Sequence, residues 1–182
     1  MTIKYPSIIL VRPQLPENIG MVARAMNNFG LNDLIVVSPR ENWLNNKTIN
    51  AAKKANSIIK NIKVFSSLED AISNFTYVIA TTNRTRYLEK KSTSDFKYLK
   101  NKINSYKKSA ILFGPENSGL SNADLNLADI IFSINTSNQN NSLNLSHAVS
   151  ILCYKTFELN YFKNNTYLKS KLTYINKSQL SK

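Results

Sequence analysis

Five short runs built almost wholly of apolar residues recur along the chain, at 7–11 (SIILV), 34–37 (LIVV), 77–80 (YVIA), 110–113 (AILF) and 130–134 (IIFSI). A strand with one wet face alternates polar and apolar residues, whereas a strand covered on both faces is continuously apolar. The runs therefore predict a parallel sheet buried under helices. The segments between them have helical spacing. Pro16 and Glu17 open one in which Ile19, Val22, Ala23, Met26 and Phe29 recur every three or four residues, and Gly30 ends it. Residues 42–60 read as one helix, and Val64-Phe65 as a short strand. Residues 67–74 form a helix capped by Ser67, with Asp70 three positions on, and 121–127 repeat the pattern with Ser121 and Asp124. Residues 92–108 read as a basic helix. A long one at 143–162 carries Leu145, Ala148, Val149, Leu152 and Phe157 on its apolar side. Strand and helix alternate throughout, which gives an α/β class with helices on both faces of the sheet. The 182 residues suit one domain over 1–163, followed by a short basic tail at 164–182.

The charge balance narrows the partners. Lys plus Arg number 24 against 11 Asp plus Glu, a net charge of +13 that suits a polyanion, either nucleic acid or an anionic membrane surface. Part of this is a Lys/Asn bias of the whole chain, with 19 Lys and 26 Asn. The densest stretch is 84–108, where nine cations face two acids. A single cysteine, Cys153, excludes an internal disulfide and a multi-thiolate zinc site, so no metal is expected and a reducing compartment fits. No apolar run is long enough to span a bilayer, and residues 1–18 lack the apolar core of a signal peptide. A cytoplasmic location and no membrane partner are the expectation.

Ligands of parallel sheets bind where strands end, and three post-strand loops are unusual. PENIGMVAR (16–24) brings Asn18, Gly20 and Arg24 to a loop-to-helix junction. There the arginine could fork onto a phosphate or a hydroxyl, or simply be solvated. FGPENSGLSNADL (113–125) holds Gly114 and Gly119, two of only four glycines in the chain. They mark a tight backbone path on which Glu116 can accept from amides or from a ligand. No GxGxxG follows a strand, and Leu120-Ser121 stands where a phosphate loop needs Lys and Ser or Thr, so Walker-type hydrolysis is disfavoured. The loop at 135–142 runs into a helix, and Ser142, Asn144 and Ser146 are more polar groups than one cap requires. His147, the only histidine, lacks the placed acid and nucleophile of a triad, and Cys153 faces the helix core.

Taken together, NIGxxAR (18–24), FGxExxGL (113–120) and NxSLNLSxAV (140–149) resemble the three motifs of the TrmH-like class of SPOUT RNA methyltransferases. The intervening ATTNRTR (80–86) is most similar to the tRNA (cytidine/uridine-2′-O)-methyltransferase group, TrmJ. The likeness extends over residues 5–162. It implies a SPOUT fold with a C-terminal deep trefoil knot, a homodimer, S-adenosylmethionine as cofactor, and 2′-O-methylation of tRNA ribose at cytidine or uridine of the anticodon loop. By match of motif, the cofactor would contact Thr81, Thr82, Asn83, Gly114, Glu116, Ile134, Asn141, Ser142 and Leu143, with Ile134 and Leu143 presenting backbone groups to the adenine. Arg24 corresponds to the catalytic arginine, with Asn18, Ser142 and Asn144 beside it, while Arg84 and Arg86 would meet RNA. A guanidinium accepts no hydrogen bond, so Arg24 is read as orienting the ribose hydroxyl through an RNA phosphate rather than as a base. Two alternatives stay open: a non-catalytic RNA-binding module of the same fold, and an rRNA 2′-O-methyltransferase. Members of the TrmJ group carry a further C-terminal region, which leaves a shorter TrmL-type relative open as well.

Overall fold

The computed structural model describes residues 5–83, 90–137 and 142–164. Strand β1 (Ser7–Val11) and helix α1 (Pro16–Asn28) are followed by β2 (Leu34–Val37), α2 (Asn46–Ala52), α3 (Asn56–Lys60), β3 (Lys63–Phe65) and α4 (Leu68–Ile72). Then come β4 (Tyr77–Thr81), β5 (Ser92–Thr93), α5 (Phe96–Ser105), β6 (Ser109–Phe113), α6 (Asn122–Asn126), β7 (Ile130–Phe132) and α7 (Leu145–Asn164). Every strand pairing is parallel, in the order β3-β2-β1-β6-β4-β7-β5. Successive residues of a strand point to opposite faces, and two cores result. Ile8, Leu10, Ile111 and Phe113 join α1, α3, α5 and α7 on one side, while Ile9, Val11, Ala110 and Leu112 meet α4 and α6 on the other. Helices thus cover both faces, as the apolar runs require.

Several elements depart from the sequence reading, and β7 ends at Phe132 rather than at 134. Residues 42–60 form two helices, because Lys53 turns left-handed at φ 53° and redirects the chain. The turn brings Ala52, Ala55, Ile58 and Ile59 into one core, which a single straight helix would not do. Strand β5 escaped notice because two polar residues at a sheet edge carry no apolar period. The last helix starts at Leu145 rather than 143, where Asn144 Oδ1 accepts from the Ser146 amide at 2.8 Å and the Asn144 carbonyl from Ala148 N at 3.0 Å. Leu143 is thereby left in the loop. Gly30 follows α1 at φ 75°, the expected stop. Gly20 is needed for a different reason: a Cβ there would lie 2.8 Å from Ala51 Cβ and closer still to the Thr48 carbonyl, so α2 could not lie on α1. No helix among the described residues is long and apolar enough to cross a membrane.

The end of β1 is tied to α6 by charge. Arg12, at φ 50°, donates to Asp124 Oδ2, which also accepts from Ser121 N and Oγ, both at 2.7 Å. Burial pushes the Asp124 carboxyl up, but the hydrogen bonds from Arg12 and Ser121 outweigh it and hold the group below the usual carboxylate value. A depressed folded value stabilises above the unfolded carboxyl pKa and is lost as pH falls through the folded one. Asp124→Asn should therefore lower stability at neutral pH by about 1–2 kcal/mol, the low range for a buried hydrogen-bonded carboxylate whose partner stays hydrated. The gap to the parent should close as pH falls through the lowered folded value. Urea denaturation across pH tests this, and a gap that persists at low pH would contradict it.

Candidate active site

The loops that leave β4, β6 and β7 close around one cavity of about 530 Å³. Its lining includes Thr81, Thr82, Asn83, Gly114, Glu116, Ile134, Ser142 and Leu143, each named from sequence as a cofactor contact. Asn141, Arg84 and Arg86 lie outside the described residues. Phe113, Phe132, Leu145 and Ala148 complete the apolar wall. These four were missed as site residues because an apolar side chain at a strand or helix end reads as core.

Short bonds fix the walls. Thr81 Oγ1 donates to Leu112 O at 2.7 Å, Ser133 Oγ to Thr82 O at 2.8 Å, and Asn83 Nδ2 to Thr136 Oγ1 at 3.1 Å. The loop after β4 is thus sewn to the loop after β7. The loop after β6 turns back on itself, with Gly119 N donating to Pro115 O at 2.8 Å. A Cβ on Gly114 would sit 2.9 Å from Gly119 Cα and closer still to Leu120 N. The space beside Gly114 is filled by its own loop, not held open for a ligand.

Glu116 joins the second motif to the first. Its Oε2 accepts from Gln14 N at 2.8 Å, and Oε1 accepts from Leu15 N at 3.2 Å and from Asn18 Nδ2 at 2.7 Å. The acid therefore holds the β1–α1 loop, whereas sequence had left it between an amide turn and a ligand. Asn18 is 1% exposed, and its Oδ1 accepts from Asn144 Nδ2 at 3.3 Å. Asn144 Oδ1 in turn accepts from Ser146 Oγ at 2.7 Å. One chain of hydrogen bonds, Glu116–Asn18–Asn144–Ser146, so connects all three motifs. Gln14 and Leu15 take part only through backbone amides, which no sequence pattern reveals.

Arg24 stands apart from this network. Helix α1 begins at Pro16, so Asn18 is in its first turn and Arg24 lies about 9 Å further along the axis and about 120° around it. The junction expected from sequence is corrected accordingly: Asn18 is buried, while Arg24 is exposed and makes no hydrogen bond or ion pair among the described residues. His147 is exposed on α7. Cys153 is fully buried, and burial pushes its thiol up to about 12, too high for a nucleophile. Among the described residues no three of His, Cys, Asp or Glu gather to hold a metal ion.

The family model of the SpoU rRNA Methylase family matches residues 6–154. The tRNA (cytidine-2′-O-)-methyltransferase TrmJ of Methanocaldococcus jannaschii is 35% identical over 155 residues, which are 83% of this chain and 66% of that protein. LasT of Escherichia coli, an uncharacterized tRNA/rRNA methyltransferase, is 36% identical over 152 residues, 82% of this chain and 66% of its own. Among solved structures, TrmJ from Z. mobilis ZM4 superposes with a TM-score of 0.80 at 38% identity, over 91% of this chain and 72% of that one. The chain spans about two thirds of the length of these two curated relatives.

Proposed function

Since the chain belongs to the SpoU rRNA methylase family, we propose that it transfers a methyl group from S-adenosylmethionine to a ribose 2′-hydroxyl of tRNA, at cytidine or uridine of the anticodon loop. The observation that carries this reading is the network in which Glu116, Asn18 and Asn144 tie two loops of the cavity, those after β6 and β7, to the start of α1. The cofactor fits the residues present. About 530 Å³ lies within the range that holds small-molecule ligands, and the lining offers apolar walls at Ile134, Leu143 and Phe132 beside polar groups at Thr82, Asn83 and Ser142. Those residues, with Thr81, Gly114 and Asn141, would hold it. When bound, S-adenosylmethionine would supply a sulfonium methyl carbon open to in-line attack by the ribose oxygen, with the thioether of S-adenosylhomocysteine as leaving group and the hydroxyl proton passing to solvent.

The chain's own part is positioning. Glu116 fixes Asn18, Asn18 fixes the start of α1, and α1 carries Arg24. In this reading Arg24 forks onto a phosphate next to the target ribose and orients its hydroxyl. A homodimer and a C-terminal trefoil knot belong to the same proposal, as does a cytoplasmic location, where tRNA is met. Pairing is supported by large apolar groups left exposed on two helices in mutual contact, Met21 of α1 at 38% and Tyr154 of α7 at 43%.

Calorimetric titration with S-adenosylmethionine and radiolabelled methyl transfer to unmodified tRNA test the reading together. Binding and transfer are expected, and RNA affinity should fall steeply with salt, because the net charge of +13 implies phosphate neutralisation. Absence of heat with S-adenosylmethionine, or binding of NAD in its place, would overturn the assignment. Cofactor binding without transfer to any RNA would leave the non-catalytic module.

A further inference from the structure

Away from the cavity, two ammonium groups converge on one aromatic ring. Lys91 Nζ lies 5.1 Å and Lys102 Nζ 5.5 Å from the centroid of the Tyr98 ring. Neither lysine is in an ion pair among the described residues. Asp95, the one acid within 91–102, is engaged in capping α5, where it accepts from Lys97 N at 2.8 Å. Like charges gathered on one ring repel, and the ring's negative face offsets only part of that repulsion. An anion between them would reverse its sign. The positive field already reaches the phenol, whose pKa is held below its ordinary value, first by hydrogen bonding to Lys91 and further by the charge of Lys102.

The patch is distinct from the other lysines of this region. Lys90, the immediate neighbour, is committed to the fold, since its ammonium donates to the carbonyls of Leu125, Asn126 and Ala128 behind α6. The patch shares its sheet edge with one wall of the cavity. Thr93 of β5 is in register with Phe132, which lines the cavity, and Phe96 at the start of α5 meets the Phe132 ring edge-on at 4.9 Å. Lys91 sits two residues before Thr93, about 7 Å along the strand. A polymer seated at the cavity mouth and extended down this edge of the sheet would reach the patch.

We propose that Lys91, Tyr98 and Lys102 form a phosphodiester clamp that grips the RNA strand beside the nucleotide being methylated. This rests on the reading of the chain as an RNA methyltransferase and adds to it a binding site outside the three motifs. The two ammonium groups neutralise backbone charge, and the Tyr98 hydroxyl donates to a phosphate oxygen.

The test is a salt series of tRNA binding to the full chain, comparing the parent, Lys91→Gln/Lys102→Gln and a control pair, Lys54→Gln/Lys60→Gln, which removes equal charge from exposed positions around α3. The clamp variant should bind tRNA about tenfold more weakly at low salt and flatten the slope of log K against log salt by about 1.4–1.8. The control should change the slope by less than half as much. Affinity for S-adenosylmethionine should be unaltered in both, since none of these residues lines the cavity. Tyr98→Phe, which keeps the ring, should lose affinity without changing the slope. A clamp variant indistinguishable from the parent, or a control that falls as far, overturns the clamp and leaves the enzyme reading standing. A parent that binds no tRNA overturns both.

Discussion

Arg24→Ala will take up S-adenosylmethionine as the parent does and methylate tRNA some 10²–10³-fold more slowly, the usual effect of removing one donor that acts on the reacting groups. The separation of the two readouts follows from where Arg24 stands. It is exposed, it makes no hydrogen bond or ion pair among the described residues, and it does not line the cavity. Truncation of such a side chain normally shifts stability by less than about 0.5 kcal/mol. Cofactor affinity and melting temperature should therefore stay at parental values while turnover falls. Arg24→Lys sharpens the result, since lysine keeps the charge and loses the planar fork. If orientation of the hydroxyl through a phosphate is the role, Lys should recover only a small part of the rate. Transfer by Arg24→Ala at the parental rate would remove this residue from the mechanism.

Residues that act through burial were legible in the sequence, and those that act through geometry were not. The runs SIILV and AILF announce strands covered on both faces, and β1 and β6 are buried at every position. Ser121 with Asp124 announces a capped helix, and the capping box is present. What failed has physical reasons. Lys53 adopts a left-handed backbone that nothing in a lysine signals, so α2 and α3 merged into one helix on paper. Strand β5 is specified by its neighbour β7 rather than by its own residues.

The candidate site divides in the same way. Gly114, Ile134 and Leu143 line one cavity because the loops carrying them leave neighbouring strands of a parallel sheet. Their common destination could be read from the motifs. The network could not, because it depends on distances across about a hundred residues of chain. Glu116 reads from sequence as an acceptor for amides or for a ligand, and it clasps Gln14, Leu15 and Asn18 of a different loop. Asn18 and Arg24 share a motif, yet helix geometry buries one within the network and leaves the other on the surface. Sequence proximity groups residues by motif. The fold separates those that hold the site together from those free to meet a substrate.

Gly114→Ala and Gly119→Ala, five residues apart in one loop, should have opposite consequences. At Gly114 a methyl group would be 2.9 Å from Gly119 Cα and nearer still to Leu120 N and the Gly119 carbonyl carbon. All three are backbone atoms, which cannot swing aside as a side-chain tip can. The loop must open, and with it go the Glu116 carboxylate and the three donors it gathers from the β1–α1 segment. Overpacking of this kind costs about 1–3 kcal/mol, a drop of about 2–4 °C in Tm per kcal/mol for a chain of this size. The larger effect is on the cavity, whose wall the loop forms, so S-adenosylmethionine should bind at least about 100-fold more weakly, close to 3 kcal/mol. At Gly119 nothing lies within 4 Å of a Cβ, and only the backbone at φ 67° opposes a side chain. That strain amounts to about 1–2 kcal/mol of stability, with cofactor affinity changed less than about threefold, or 0.7 kcal/mol. Measured side by side, the pair distinguishes a loop that must stay closed from one that merely needs a glycine. Parental cofactor affinity in Gly114→Ala would mean that the turn on which Glu116 rides is not what shapes the binding wall.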